Sequence, residues 1–123
     1  MTANEFRKLV LSFPDAEERA HHGHPDFRYG GKIFATLGYP DQTRGMVQLT
    51  PEQQSEFLND HPLVFSPAAG KWGQNGSTIV NLPKATKAVM RVAVERGLQE
   101  RDQQVSERGV EETNVSEMSR TAG

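Results

Sequence analysis

Apolar residues along this chain recur with two periods, and their order predicts one antiparallel sheet with helices against it. Phe6, Leu9, Val10 and Phe13 follow the i, i+3, i+4, i+7 spacing of a single helical face. Thr2-Ala3-Asn4-Glu5 in front of them fits a capping box, and Pro14 bars continuation. A short strand is expected at about 19–22. Two runs rich in aromatic and β-branched residues then flank Gly30-Gly31, the composition of a primed two-residue hairpin turn. With the glycines as the loop, Tyr29 opposes Lys32, Arg28 opposes Ile33 and Phe27 opposes Phe34. That pairing puts Phe27, Tyr29 and Phe34 on one face, and Ile33, Ala35 and Leu37 on the other. Both faces are partly apolar, so the hairpin is predicted to be covered by helices on one side and only partly wet on the other.

The pattern continues in the same style. Gly38-Tyr39-Pro40-Asp41-Gln42 is a turn by composition, and 44–49 reads as the next strand, with Val47 and Leu49 on one face. Thr50-Pro51-Glu52-Gln53 announces a second helix, with Thr at the N-cap, Pro at the first position and Gln at the third. Its body to Asp60 offers only Phe57 and Leu58 to a core. Residues 63–76 are the least regular stretch and hold the single Trp between glycines, in Gly70-Lys71-Trp72-Gly73. Strand character resumes at 77–82. The last helix is expected from Pro83, with Ala85, Ala88, Val89 and Val92 as its buried stripe and Gly97 as its stop. Beyond it the chain has neither stripe nor spacing for packing, so 1–98 is read as one domain and 99–123 as a disordered tail.

Composition narrows the function classes. A chain of 123 residues with 35% hydrophobic content forms one small domain with a core of its own. The absence of cysteine removes disulfides, thiol nucleophiles and cysteine-bound metals. No apolar run approaches the ~18 residues of a membrane span, and the first residues do not form a secretory signal, so a cytoplasmic location is the expectation. Residues 1–98 carry a net charge of +1 and 99–123 a net of −3. A nearly neutral domain with an acidic tail differs from the plainly basic domain of a strong non-specific nucleic-acid binder.

Candidate chemistry is sparse. His21-His22-Gly23-His24-Pro25-Asp26 has metal-ligand residue types, but adjacent histidines on a strand point to opposite faces. Strand-end histidines are the reading, with no metal and no cofactor. There is no phosphate-binding glycine loop, nucleophile elbow or His-Glu-x-x-His, so no enzyme is expected.

Several signatures coincide with a known family: Phe13-Pro14-Asp15-Ala16, then Gly23-x-Pro25-x-Phe27-x-x-x-Gly31-Lys32-x-Phe34-Ala35, then Val47-x-Leu49 before Thr50-Pro51-Glu52, and Phe65-x-Pro67 followed by Gly70-Lys71-Trp72-Gly73. Over about 1–98 the chain resembles the MmcQ/YjbR-like family. The resemblance implies a compact α+β domain, with one antiparallel sheet and helices packed on one side, described as a double-wing and compared with frataxin-like proteins. It also implies a DNA-binding role, the label its members commonly carry from fold comparison. Lys32, Lys71 and Trp72 would then lie on the functional surface.

Two functions follow for a non-catalytic module. In the first, DNA is the partner: Lys32, Arg44, Lys71, Lys84, Lys87 and Arg91 neutralise phosphates while Trp72 stacks on a base, the 70–75 loop and the last helix forming one cationic surface. In the second, a protein or small ligand enters a pocket lined by Tyr29, Phe65 and Trp72. A cluster of cations around Trp72 favours the first, and a neutral apolar cleft beside it the second.

Overall fold

The computed structural model describes residues 1–21 and 23–99. The expectations for His22 and for the tail from Glu100 onward lie outside them. Along the chain run α1 (Ala3–Leu11), β1 (Glu17–His21), β2 (His24–Tyr29), β3 (Lys32–Leu37), β4 (Arg44–Gln48), α2 (Pro51–Asp60), β5 (Phe65–Pro67), α3 (Gly70–Gln74), β6 (Ser77–Asn81) and a 3-10 turn, Leu82–Lys84. A last helix, α4, occupies 87–99 up to the end of the described residues. The six strands form one antiparallel sheet in the order β1-β2-β3-β4-β6-β5. This is the expected α+β architecture. No helix among the described residues is long and apolar enough to cross a membrane.

The local signals act as their chemistry requires. The Thr2 hydroxyl accepts from the Glu5 backbone N–H at 3.1 Å while the Glu5 carboxylate accepts from the Thr2 N–H at 2.8 Å. Thr50 and Gln53 close the same reciprocal box on α2, at 3.1 Å each way. Gly30 and Gly31 take φ of 61° and 82°, the left-handed values of a primed turn.

The hairpin differs from expectation beyond its first two pairs. Tyr29 opposes Lys32 and Arg28 opposes Ile33, but Phe27 opposes Ala35, because a bulge inserts Phe34 as an extra residue. The bulge turns both Phe34 and Ala35 into the core, where Phe27, Leu37, Val47, Leu49 and Val80 also lie. Strict alternation would have sent Ala35 and Leu37 to the opposite face.

The core is sealed by α1, α2 and α4, through Phe6, Leu9 and Val10, Phe57, and Met90, Ala93, Val94 and Leu98. Phe6 meets Phe27 edge-on at 6.3 Å, and Phe57 meets Phe65 edge-on at 5.4 Å.

The phase of α4 also departs from the sequence reading. Pro83 sits in the 3-10 turn and Ala85 is extended, so the helix starts later, with the Thr86 hydroxyl accepting from the Val89 N–H at 3.3 Å. The buried stripe is therefore Met90, Ala93, Val94 and Leu98, while Ala88 and Val92 face solvent and Val89 is half-buried. Gly97 does not stop the helix. It is buried where a Cβ would stand 2.6 Å from the Gln48 carbonyl oxygen, so only glycine lets α4 approach the sheet this closely.

Candidate functional site

Because Phe27, Ala35, Val47 and Val80 point into the core, their strand neighbours point the other way. Asp26 opposes Thr36, Thr36 opposes Met46, and Met46 opposes Ile79. These residues form one continuous row across four strands on the face away from α1, α2 and α4. The row floors a cavity of about 350 Å³. Ile33 and Ser77 extend the floor, and the remaining walls are His24, Pro25, Tyr39, Ala68 and Trp72.

The register places these walls at opposite ends of the strands. His24 and Tyr39 belong to the end where β3 turns into β4, and their rings meet edge-on at 6.3 Å. Ala68 and Trp72 belong to the other end, where β5 leads through α3 into β6. Trp72 is 69% exposed and Tyr39 52% exposed. Exposed aromatics thus stand at both ends of an apolar floor.

Short as it is, α3 is held firmly. The buried Gln54 amide of α2 donates to the carbonyls of Gly73 and Ser77 at 3.0 Å each, and lies 3.2 Å from the Thr78 hydroxyl. Gly73 follows Trp72 directly, and the carbonyl of Asn75, the C-cap of α3, accepts from the Gln48 amide at 3.1 Å. Two glutamines thus fix the segment carrying Trp72 to the sheet. Neither was legible as functional, since an isolated Gln, at the end of a strand like Gln48 or in an amphipathic helix like Gln54, looks like a solvent-facing residue.

The polar end of the cavity is an ion pair. Asp26 is 1% exposed; its Oδ1 accepts from Arg28 Nε at 2.9 Å and its Oδ2 from Arg28 Nη2 at 3.3 Å. The hydrogen bonds that Arg28 donates to Asp26, and the carboxylate's charge, raise the guanidinium pKa and keep Arg28 ionised.

The residues singled out in the sequence do not gather in one place. Trp72 lines the cavity and Lys71 is exposed beside it on α3. Arg44 lies on β4 facing the same way as Met46, and its Nη1 donates to the Thr43 hydroxyl at 2.7 Å and to Asn81 Oδ1 at 3.3 Å. Lys32 is exposed at the hairpin tip. Lys84, Lys87 and Arg91 belong to the turn and helix of the opposite layer. Lys87 pairs with Glu5 of α1 at 3.8 Å, and the Arg91 guanidinium lies 6.0 Å from the Phe13 ring centre. The expected single cationic surface around Trp72 is therefore divided between the two faces of the sheet. Tyr29 and Phe65 are placed with the hydrophobic core, so of the three pocket residues named from sequence only Trp72 lines the cavity. Ile33, Thr36, Met46 and Ile79 were missed because a half-buried row becomes visible only once register is known.

Comparison with known proteins bears on this geometry at the level of family and fold. A family model described as YjbR matches residues 11–107. Among solved structures the chain is similar to the crystal structure of Deinococcus radiodurans protein DR2400, which carries a DUF419 domain. The match has a TM-score of 0.61 at 17% sequence identity, covering 76% of this chain and 72% of that one. At that identity the likeness establishes the fold alone. No curated protein matches the sequence.

Proposed function

From the premise that this chain belongs to the YjbR family, we propose that it is a non-catalytic binding domain whose site is the cavity beside Trp72. The observation that carries this reading is the uncovered apolar row itself. Ile33, Met46 and Ile79 floor a cavity of about 350 Å³ that the three packed helices leave open. That volume is at the lower end of the ~300–1,000 Å³ range of small-molecule sites. Its occupant is a small apolar group, either a free compound or a side chain presented by a partner.

Two features support binding without catalysis. The Ser77 hydroxyl on the wall donates to Gln48 Oε1 at 2.7 Å rather than to a base, which leaves it unactivated. Among the described residues the single lining carboxylate, Asp26, is tied to Arg28. For nucleic acid, the division of the cations weighs against one continuous phosphate-tracking surface, since Lys87 and Arg91 are engaged against α1 and Phe13.

The test pairs two titrations of the full chain: an anilinonaphthalene sulfonate dye, and DNA and RNA oligonucleotides across salt concentrations. The expected result is saturable dye binding that Trp72→Ala weakens, with no salt-dependent oligonucleotide binding. Oligonucleotide binding whose salt slope falls by about one phosphate for each of Lys71→Ala and Lys87→Ala would replace this reading with the DNA one.

A further inference from the structure

The polar end of the cavity specifies more than an apolar occupant, provided the cavity is the binding site proposed above. Asp26 is buried at 1% exposure on the cavity wall, and strand alternation places it on the cavity side of β2. An ionised carboxylate offers about four acceptor positions over its two oxygens. Here each oxygen accepts one N–H from Arg28, at 2.9 and 3.3 Å, and no other side chain among the described residues donates to either. Each oxygen therefore keeps acceptor capacity at the wall of a largely apolar space.

The charge on Asp26 is balanced by Arg28, so this end attracts neither cations nor anions strongly, yet it still accepts hydrogen bonds. The remaining walls favour flat rings. Trp72 and Tyr39 present aromatic surface from the two ends, and the Met46 thioether of the floor makes favourable contacts with aromatic edges.

We infer that the cavity selects a small, neutral aromatic or heteroaromatic compound carrying an N–H or O–H donor on its edge, with the ring over Thr36 and Met46 and the donor on the Asp26 carboxylate. A compound with a carboxylate at that edge offers Asp26 no donor and sets acceptor against acceptor. A ring whose donor is replaced by a methyl group loses the hydrogen bond and leaves the carboxylate facing apolar surface.

The test titrates the full chain, followed by backbone and side-chain NMR shifts, with benzimidazole and with 1-methylbenzimidazole at a pH where both are neutral. The two share a ring system and differ at the donor nitrogen. Both are expected to perturb Thr36, Met46, Trp72 and Ile79, with benzimidazole binding about tenfold more tightly, the discrimination of one hydrogen bond to a charged acceptor.

The double substitution Asp26→Leu with Arg28→Met replaces both partners by apolar groups, so no unpaired charge is left behind. It should abolish the preference while retaining 1-methylbenzimidazole. A preference that persists in this variant would show that methyl bulk is the cause and would overturn the inference. Equal affinities in the unmodified chain would overturn it too, while leaving the cavity as the site; that comparison needs no variant to fold. Binding of neither compound at the cavity would overturn both the inference and the reading it rests on.

Discussion

The two faces of this sheet are built from neighbouring residues of the same strands and have opposite fates. On one, Phe27, Ala35, Val47 and Val80 are sealed under α1, α2 and α4 and are at most 1% exposed. On the other, Asp26, Thr36, Met46 and Ile79 line an open cavity, with Trp72 and Tyr39 left largely exposed around it. Burial of the first set supplies folding stability at about 25 cal/mol per Å² of apolar surface. The second set returns little of that and keeps an ion pair inside the cleft, an arrangement weak as a source of stability. The difference teaches where to look for function: in the apolar surface that folding leaves uncovered.

Substitutions on the covered face should give the largest effects. Phe27→Ala or Phe34→Ala should cost ~3–5 kcal/mol in denaturant melts, a large part of the ~5–15 kcal/mol that holds a domain together. A loss below ~1 kcal/mol would contradict their place in the core.

Next comes Gly97→Ala. Helix propensity alone would make it stabilising by ~1 kcal/mol. The 2.6 Å approach of a Cβ to the Gln48 carbonyl reverses the sign, and a loss of about 1–3 kcal/mol is expected from the same melts. Gln54→Leu should cost about 1 kcal/mol and, by loosening α3, shift the emission of Trp72, the single Trp of the chain.

Much of the covered face was legible in the sequence. Both capping boxes, the Gly30-Gly31 turn and the α1 stripe are local signals, readable from spacing because the interactions close within a few residues. Two features escaped for a common reason: they are decided by contacts distant in sequence. The Phe34 bulge lets Ala35 and Leu37 join Phe34 in the core, where strict alternation would have kept them out. The phase of α4 is set by the Pro83 turn and by the Gly97 contact with β4, and Ala88 and Val92 look as apolar as Met90 and Ala93 to any periodicity argument. Of the site, Trp72 was legible as an isolated aromatic between glycines. The floor was not, because Thr36, Met46 and Ile79 are scattered over three strands and look unremarkable apart.

Smaller effects come from the exposed carboxylates. Hydrogen bonds from the Thr2 backbone lower the Glu5 pKa, those from the Thr43 hydroxyl and backbone lower that of Asp41, and the Arg96 guanidinium lowers that of Glu56. Groups depressed in the folded state stabilise it above their ordinary values of 4.5 and 3.8, and that contribution is lost as the pH falls through the depressed folded values. The melting temperature should therefore decline modestly on acidification below this range, and added salt should flatten the decline.

The smallest expected change in stability is Trp72→Ala, at most about 0.5 kcal/mol for a side chain this exposed. Set against Phe27→Ala, it separates the face that folds the chain from the face proposed to bind.

That separation is tested most directly by NMR shift mapping of the full chain with a panel of small neutral aromatic compounds. The account predicts perturbations concentrated at Ile33, Thr36, Met46, Trp72 and Ile79, with Lys84, Lys87 and Arg91 unmoved. Shifts confined to that cationic stretch of the opposite layer, or no saturable shift on the open face for any compound, would contradict it.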